Sequence, residues 1–178
     1  MRQYWVAPLP PFHIADGTAY ASSTTLTDVG PAPSIVIPAN FLELGMRLEW
    51  YAFGRYSNTG TPTLTLGVYY GTGAIASGMA VCASSALTTV SGVTNRTWRL
   101  EGHGQVRAVG ASTSGSILGI AEISNVTTNG TDLAPATAPA ALACDTTVAN
   151  KLMIGATWGT SSASNTLTCH YFGVRIVN

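Results

Sequence analysis

The chain has 178 residues and a mass of 18.4 kDa, the size of one domain, with eight basic and eight acidic side chains and no net charge. Charged residues make up only 9% of it. Spread over the ~8,000 Å² expected of a folded chain this size, they leave about one charge per 500 Å², too few to keep a lone subunit soluble. A neutral balance also excludes the basic footprint of a nucleic-acid binder or of a membrane-surface helix, so neither nucleic acid nor a membrane is an expected partner.

Counts of 24 Thr, 15 Ser, 24 Ala and 19 Gly point to strands and turns rather than helices. Threonine is stiff at χ1 and favours strands, while Gly, Pro, Asn and Ser supply turns. Residues 1–17 read as an extended arm that carries Pro8, Pro10 and Pro11 with Tyr4, Trp5, Leu9 and Phe12 as contact groups. The prolines interrupt any apolar run there, so no signal peptide is expected and synthesis in the cytoplasm is.

Residues 18–178 read as a single domain. Strands are expected at 20–27 and 34–37, and a clear alternation follows at 47–56. Leu48, Trp50, Ala52 and Tyr56 form its core face; Arg47, Glu49, Tyr51, Phe53 and Arg55 form the other. A turn at 57–62 and a return strand at 63–70 predict a hairpin. A weaker strand is expected at 78–87.

Residues 97–109 alternate Trp98, Leu100, Gly102, Gly104 and Val106 with a polar stripe of Arg99, Glu101, His103, Gln105 and Arg107. The glycines suggest a bulge or a close backbone approach. A strand at 116–126, a long loop at 127–139 and a short strand at 142–147 come next. Residues 152–158 and 167–177 then predict a final hairpin, with Leu167, Cys169, Tyr171 and Val177 on one side. Eight to ten such strands imply an all-β antiparallel sandwich, with the jelly roll the common solution for that number.

Residues that would carry chemistry are sparse. His13, His103 and His170 lack His-x-His spacing, so no metal site is expected and no cofactor is implied. Cys82, Cys144 and Cys169 show no CxxC pattern and read as buried free thiols. Cys169 and His170 are adjacent, which in a strand sends them to opposite faces, and no Gly-x-Ser-x-Gly or paired carboxylates occur. An enzyme is not expected. Trp50, Trp98 and Trp158 read as core, whereas Trp5 stands in the arm as a docking anchor. Tyr51 and Phe53, on the face opposite their strand's core stripe, join Arg99, Glu101 and Arg107 of the polar stripe as a candidate subunit interface. Tyr69 and Tyr70, beside Gly71 and Gly73, are the candidate patch for a glycan.

The segments TLTLGVYYG at 63–71, NRTWRLE at 95–101 and GATWGTSSASNTLTCH at 155–170 resemble virion structural proteins of tailed bacteriophages that infect actinobacteria. The resemblance implies a jelly-roll protein of the phage particle: a head decoration, or cement, protein assembled as homotrimers on the exterior of the capsid lattice, with the major capsid protein as partner. The arm residues Tyr4, Trp5, Leu9 and Phe12 would then dock on the capsid. The alternative from the residues themselves is a glycan- or host-surface-binding domain of a tail or head fibre.

Overall fold

The computed structural model describes residues 15–136 and 138–177. The four arm residues named as a dock lie outside the described residues, as does His13. Residues 15–17 belong to the body: the Gly17 N–H donates to the Cys169 carbonyl at 2.8 Å, and the Asp16 carboxylate pairs with His170 Nδ1 at 2.8 Å.

Among the described residues thirteen strands form two antiparallel sheets. They are β1 (Tyr20–Ala21), β2 (Thr27–Asp28), β3 (Ile35–Ile37), β4 (Arg47–Ser57), β5 (Thr63–Gly71), β6 (Ala80–Ala83), β7 (Leu87–Thr88), β8 (Arg96–Ala108), β9 (Gly115–Ser124), β10 (Thr131–Ala134), β11 (Leu142–Cys144), β12 (Asn150–Trp158) and β13 (Thr166–Val177). The first sheet runs β1-β13-β4-β8-β9-β10, with β11 also on β9; the second runs β2-β12-β5-β6, with β3 on β12 and β7 on β5. Among the described residues the only helical element is a single 3-10 turn, Ser77–Met79. The all-β sandwich expected from composition and alternation is what forms.

Its strand pairing departs from the expected hairpins. β4 lies in the first sheet against β13 and β8, while β5 lies in the second against β12, β6 and β7. β12 and β13 likewise sit in opposite sheets. In both places the turn carries the chain across the sandwich, because each strand buries one face against the other layer and finds its edge partners elsewhere in the sequence. The expected strand at 20–27 is two short pieces, one in each sheet, and the expected loop at 127–139 contains β10, paired with β9.

Between the sheets lies one apolar core, with Trp98, Trp158, Tyr56 and Tyr70 among its largest fully buried side chains. The three cysteines are buried free thiols, as expected. The β8 glycines do mark a close approach. Gly104 faces Gly119 across the β8–β9 ladder, and a Cβ on either would come within 2.8 Å of the Trp50 ring, so the pair forms a trough that the indole fills.

β13 breaks its alternation. Cys169 pairs with Gly54 and Tyr171 with Phe53, so His170 is an extra residue, a β-bulge. The Cys169 thiol donates to the Tyr171 carbonyl across it at 3.2 Å. One inserted residue reverses the facing of everything after it. Tyr171 therefore points outward rather than with Leu167 and Cys169, and Phe172 and Val174 turn into the core.

Candidate functional site

The outer face of the first sheet is set by cross-strand register, so its side chains can be read row by row. Tyr171, Phe53, Arg99 and Ser124 stand abreast on β13, β4, β8 and β9. The next row holds Gly173, Tyr51, Glu101 and Glu122, with Leu133 beyond on β10. The row after that holds Arg175, Glu49, His103 and Ile120. Alternation along each strand puts these groups on one side because the opposite side fills the core.

Three rings form a ridge. The Phe53 and Tyr171 rings stack with centroids 5.6 Å apart, and Tyr51 lies 5.7 Å from Phe53 and 6.1 Å from Tyr171. Gly173 allows this, since a Cβ there would come within 2.7 Å of Tyr171 Cζ. Tyr51 and Phe53 each keep 36% of their surface exposed and Tyr171 keeps 42%.

Charges flank the ridge as preorganised pairs. Arg99 bonds Glu101, and its guanidinium lies 5.3 Å from the centroid of the Tyr51 ring. Glu49 receives Arg47 at 2.6 Å on one oxygen and both Nε, at 2.9 Å, and an Nη of Arg175 on the other. The Arg175 hydrogen bond, with the Arg47 and His103 charges adding to it, holds the Glu49 carboxyl below its ordinary range. Glu101 and Glu122 face each other directly across β8 and β9, a like-charge pair that opposes the ladder.

Beside the ridge a groove of about 690 Å³ opens between Tyr51 and Tyr171 on one side and Ile120 and Leu133 on the other, with Glu101, Glu122 and His103 reaching into it. That volume falls within the range of ligand sites, about 300–1,000 Å³. The groove offers aromatic and aliphatic surface with carboxylates, guanidinium groups and an imidazole, a set suited to recognition by contact and hydrogen bonding. Among the described residues, no three His, Cys, Asp or Glu side chains gather as a metal site.

Of the residues singled out in the sequence, Tyr51, Phe53, Arg99 and Glu101 come together here. Arg107 does not: it is exposed at the register shift between Val106 and Ala108, near the end of β8. Sequence reasoning missed Tyr171, because the bulge reversed its facing, and Leu133, because β10 read as loop. Ile120 and Glu122 were legible in the alternation of β9.

The expected Tyr69–Tyr70 patch does not exist, since the two tyrosines are 3% and 2% exposed. Tyr70 lies in the core. Tyr69 is covered on the outside of the second sheet, where its ring and Ile75 lie over Gly155 so closely that a Cβ would come within 2.8 Å of Tyr69 Cδ2 and 2.6 Å of Ile75.

A second apolar surface caps one end of the sandwich. Loops 38–46, 109–114 and 145–149 are tied there by Asn40 N–H to Thr146 O at 3.0 Å, Thr146 N–H to Gly110 O at 2.9 Å and Ser112 N–H to Asp145 Oδ2 at 2.8 Å. Phe41, Leu44, Val109 and Val148 lie exposed on these loops, with Val36 beside them. The Asp145 carboxyl, held low by the Thr147 hydroxyl and by backbone N–H groups, is already satisfied.

The chain matches no protein-family model and no curated protein.

Proposed function

We propose that this protein is a structural subunit of a phage particle, a capsid decoration protein that assembles with copies of itself and bridges capsid subunits on the outside of the head. The observation that carries the reading is the placement of the exposed large hydrophobics. Among the described residues there are ten: Tyr51, Phe53, Ile120, Leu133 and Tyr171 on the outer face of the first sheet, and Val36, Phe41, Leu44, Val109 and Val148 at one end. Two separate apolar surfaces on a chain with so few charges suit a subunit covered on two sides.

Topology supports the jelly-roll part of the reading. The pairs β1–β13, β2 and β3 with β12, β4–β8, and β5–β6 are nested inside one another along the chain, as in a long hairpin rolled into two layers, with β9 to β11 inserted before β12. The resemblance to virion structural proteins supplies the particle. No helix among the described residues is long and apolar enough to cross a membrane.

The test is quantitative mass spectrometry of purified particles of the phage that encodes the chain. Copies in proportion to the capsid subunits support decoration; a handful per particle places the protein in a tail or fibre and refutes it. A second reading, a fibre domain that binds host glycan, loses its Tyr69–Tyr70 patch but gains the groove beside Tyr51, and a glycan array tests it.

A further inference from the structure

We infer that the loop end carrying Phe41, Leu44, Val109 and Val148 is the surface that meets the protein shell of the particle, with the N-terminal arm docking beside it and the opposite end turned outward. The inference rests on the reading of a particle subunit and adds which part of the molecule makes the contact. The two ends differ in chemistry. At the far end, the turns 57–62, 91–95, 125–130 and 159–165 consist mostly of Ser, Thr, Asn and Gly, and within them neither a charged residue nor an exposed large hydrophobic occurs. Such hydroxyls and amides are well solvated by water. Loops 38–46, 109–114 and 145–149 instead expose those four apolar side chains, Leu44 at 71%. Backbone hydrogen bonds joining Asn40, Thr146 and Gly110 hold the loops in one frame, so little order remains to be lost on docking.

The course of the chain leads to the same end. β1 runs antiparallel to β13, with Tyr20 opposite Leu167 and Ala21 opposite Thr166, and Gly17 and Asp16 continue that course to the Cys169 carbonyl and the His170 imidazole. Residues of lower number therefore head for the end of β13, where Val177 pairs with Arg47 next to loop 38–46. From His170 to Val177 is about 23 Å of strand, whereas residues 1–14 span up to ~46 Å when extended. About half of that length, with Tyr4 and Trp5 in it, is left over for the surface beyond the sheet.

Area explains why arm and loops act as one contact. Five strands about 4.8 Å apart in two layers ~10 Å apart, with side chains on both outer faces, give the end roughly 24 by 20 Å, or about 480 Å². That alone falls short of the ~800 Å² per partner of a stable interface. Half of the arm lying flat beside it, ~23 Å long and ~10 Å across, adds about 230 Å² and brings the sum close to that size. Glu43 stands exposed among the apolar groups with no ion pair among the described residues. The complementary patch is therefore apolar, with a basic group to meet that carboxylate.

The experiment is thiol footprinting of three variants of the full chain, Leu44→Cys and Val109→Cys at the loop end and Ala163→Cys at the far end, each free and after attachment to particles lacking the protein. All three positions are exposed and so tolerate the change, and the native thiols are buried and give a silent background. In the free chain all three are expected to label readily. On particles, Leu44→Cys and Val109→Cys are expected to label at least about tenfold more slowly, while Ala163→Cys keeps its rate. Loop-end labelling that keeps its free rate on particles, or an Ala163→Cys variant that slows as much, overturns the inference and leaves the virion reading standing. Loop-end labelling already slow in the free chain, with a sedimentation mass above 18.4 kDa, assigns that end to a second copy and also overturns it. A full chain that does not attach to the particles refutes the virion reading and the inference with it.

Discussion

Gly54 sits in β4 opposite the bulged stretch of β13, next to Phe53 of the ridge, and its replacement by alanine gives a direct test of how tightly that region is built. A Cβ at Gly54 would fall inside the contact distance of the Thr168 carbonyl oxygen and within 2.9 Å of both the Thr168 carbonyl carbon and Trp98 Nε1. One obstacle is backbone and the other a fully buried ring, so neither can swing aside. Overpacking of this kind costs typically about 1–3 kcal/mol, and a backbone obstacle places Gly54→Ala near the top, at about 3 kcal/mol. For a chain of this length each kcal/mol moves Tm by about 2–4 °C, so a loss of about 6–12 °C is expected. The matched control is Gly78→Ala, where nothing lies within 4 Å of the added methyl and the backbone is unstrained. It should stay within about 0.5 kcal/mol of wild type. Thermal unfolding of the three proteins at one concentration, so that any association is held constant, decides the matter. If Gly54→Ala melts within 2 °C (a threshold of about 1 kcal/mol or less) of the control, the close packing of β4 against β13 is wrong.

Three further outcomes are expected. Burial raises the Asp28 carboxyl above its ordinary 3.8, against the opposing effect of the Gly30 N–H bond, so the folded state holds more protons than the unfolded one in the window just above that value. Stability therefore falls as pH rises through the window, and Asp28→Asn, which keeps the acceptor for Gly30, should raise Tm at pH 7 but not below pH 3.8. Burial pushes the Cys82 and Cys169 thiols up to about 12 and Cys144 to about 11, so all three should resist a thiol reagent at pH 8 until denaturant unfolds the chain; rapid labelling of the native protein would contradict their placement. Deleting residues 1–14, while keeping Asp16 and Gly17 with their bonds to β13, should leave the unfolding midpoint nearly unchanged. Its expected effect on attachment to particles is about a thousandfold, from two aromatic anchors at about 2 kcal/mol each, and full-strength binding by the truncated chain would refute a docking arm.

The sequence by itself determined the facing of residues wherever facing is a local matter. On β4, Leu48, Trp50 and Ala52 are buried and Tyr51 and Phe53 exposed as alternation requires, because successive side chains of a strand point to opposite sides whatever the strand pairs with. The same rule placed Arg99 and Glu101 outside and Trp98 and Leu100 inside on β8. The absence of helical periodicity and the wealth of Thr, Gly and Ser likewise gave the all-β class.

Only the tertiary structure decided which strands meet, because pairing joins residues far apart in sequence and a turn does not reveal whether it returns within a sheet or crosses to the other. Thus β4 and β5, adjacent in the chain, ended in different layers, while β4 found β13 and β8. One inserted residue, His170, reversed Tyr171 and completed the aromatic ridge with Tyr51 and Phe53. The space opened by Gly155 let Tyr69 and Ile75 pack down and closed the patch that adjacent tyrosines had suggested. In each case the deciding contact was non-local: a side chain's exposure depends on what the rest of the chain lays over it, and no stretch of sequence carries that information alone.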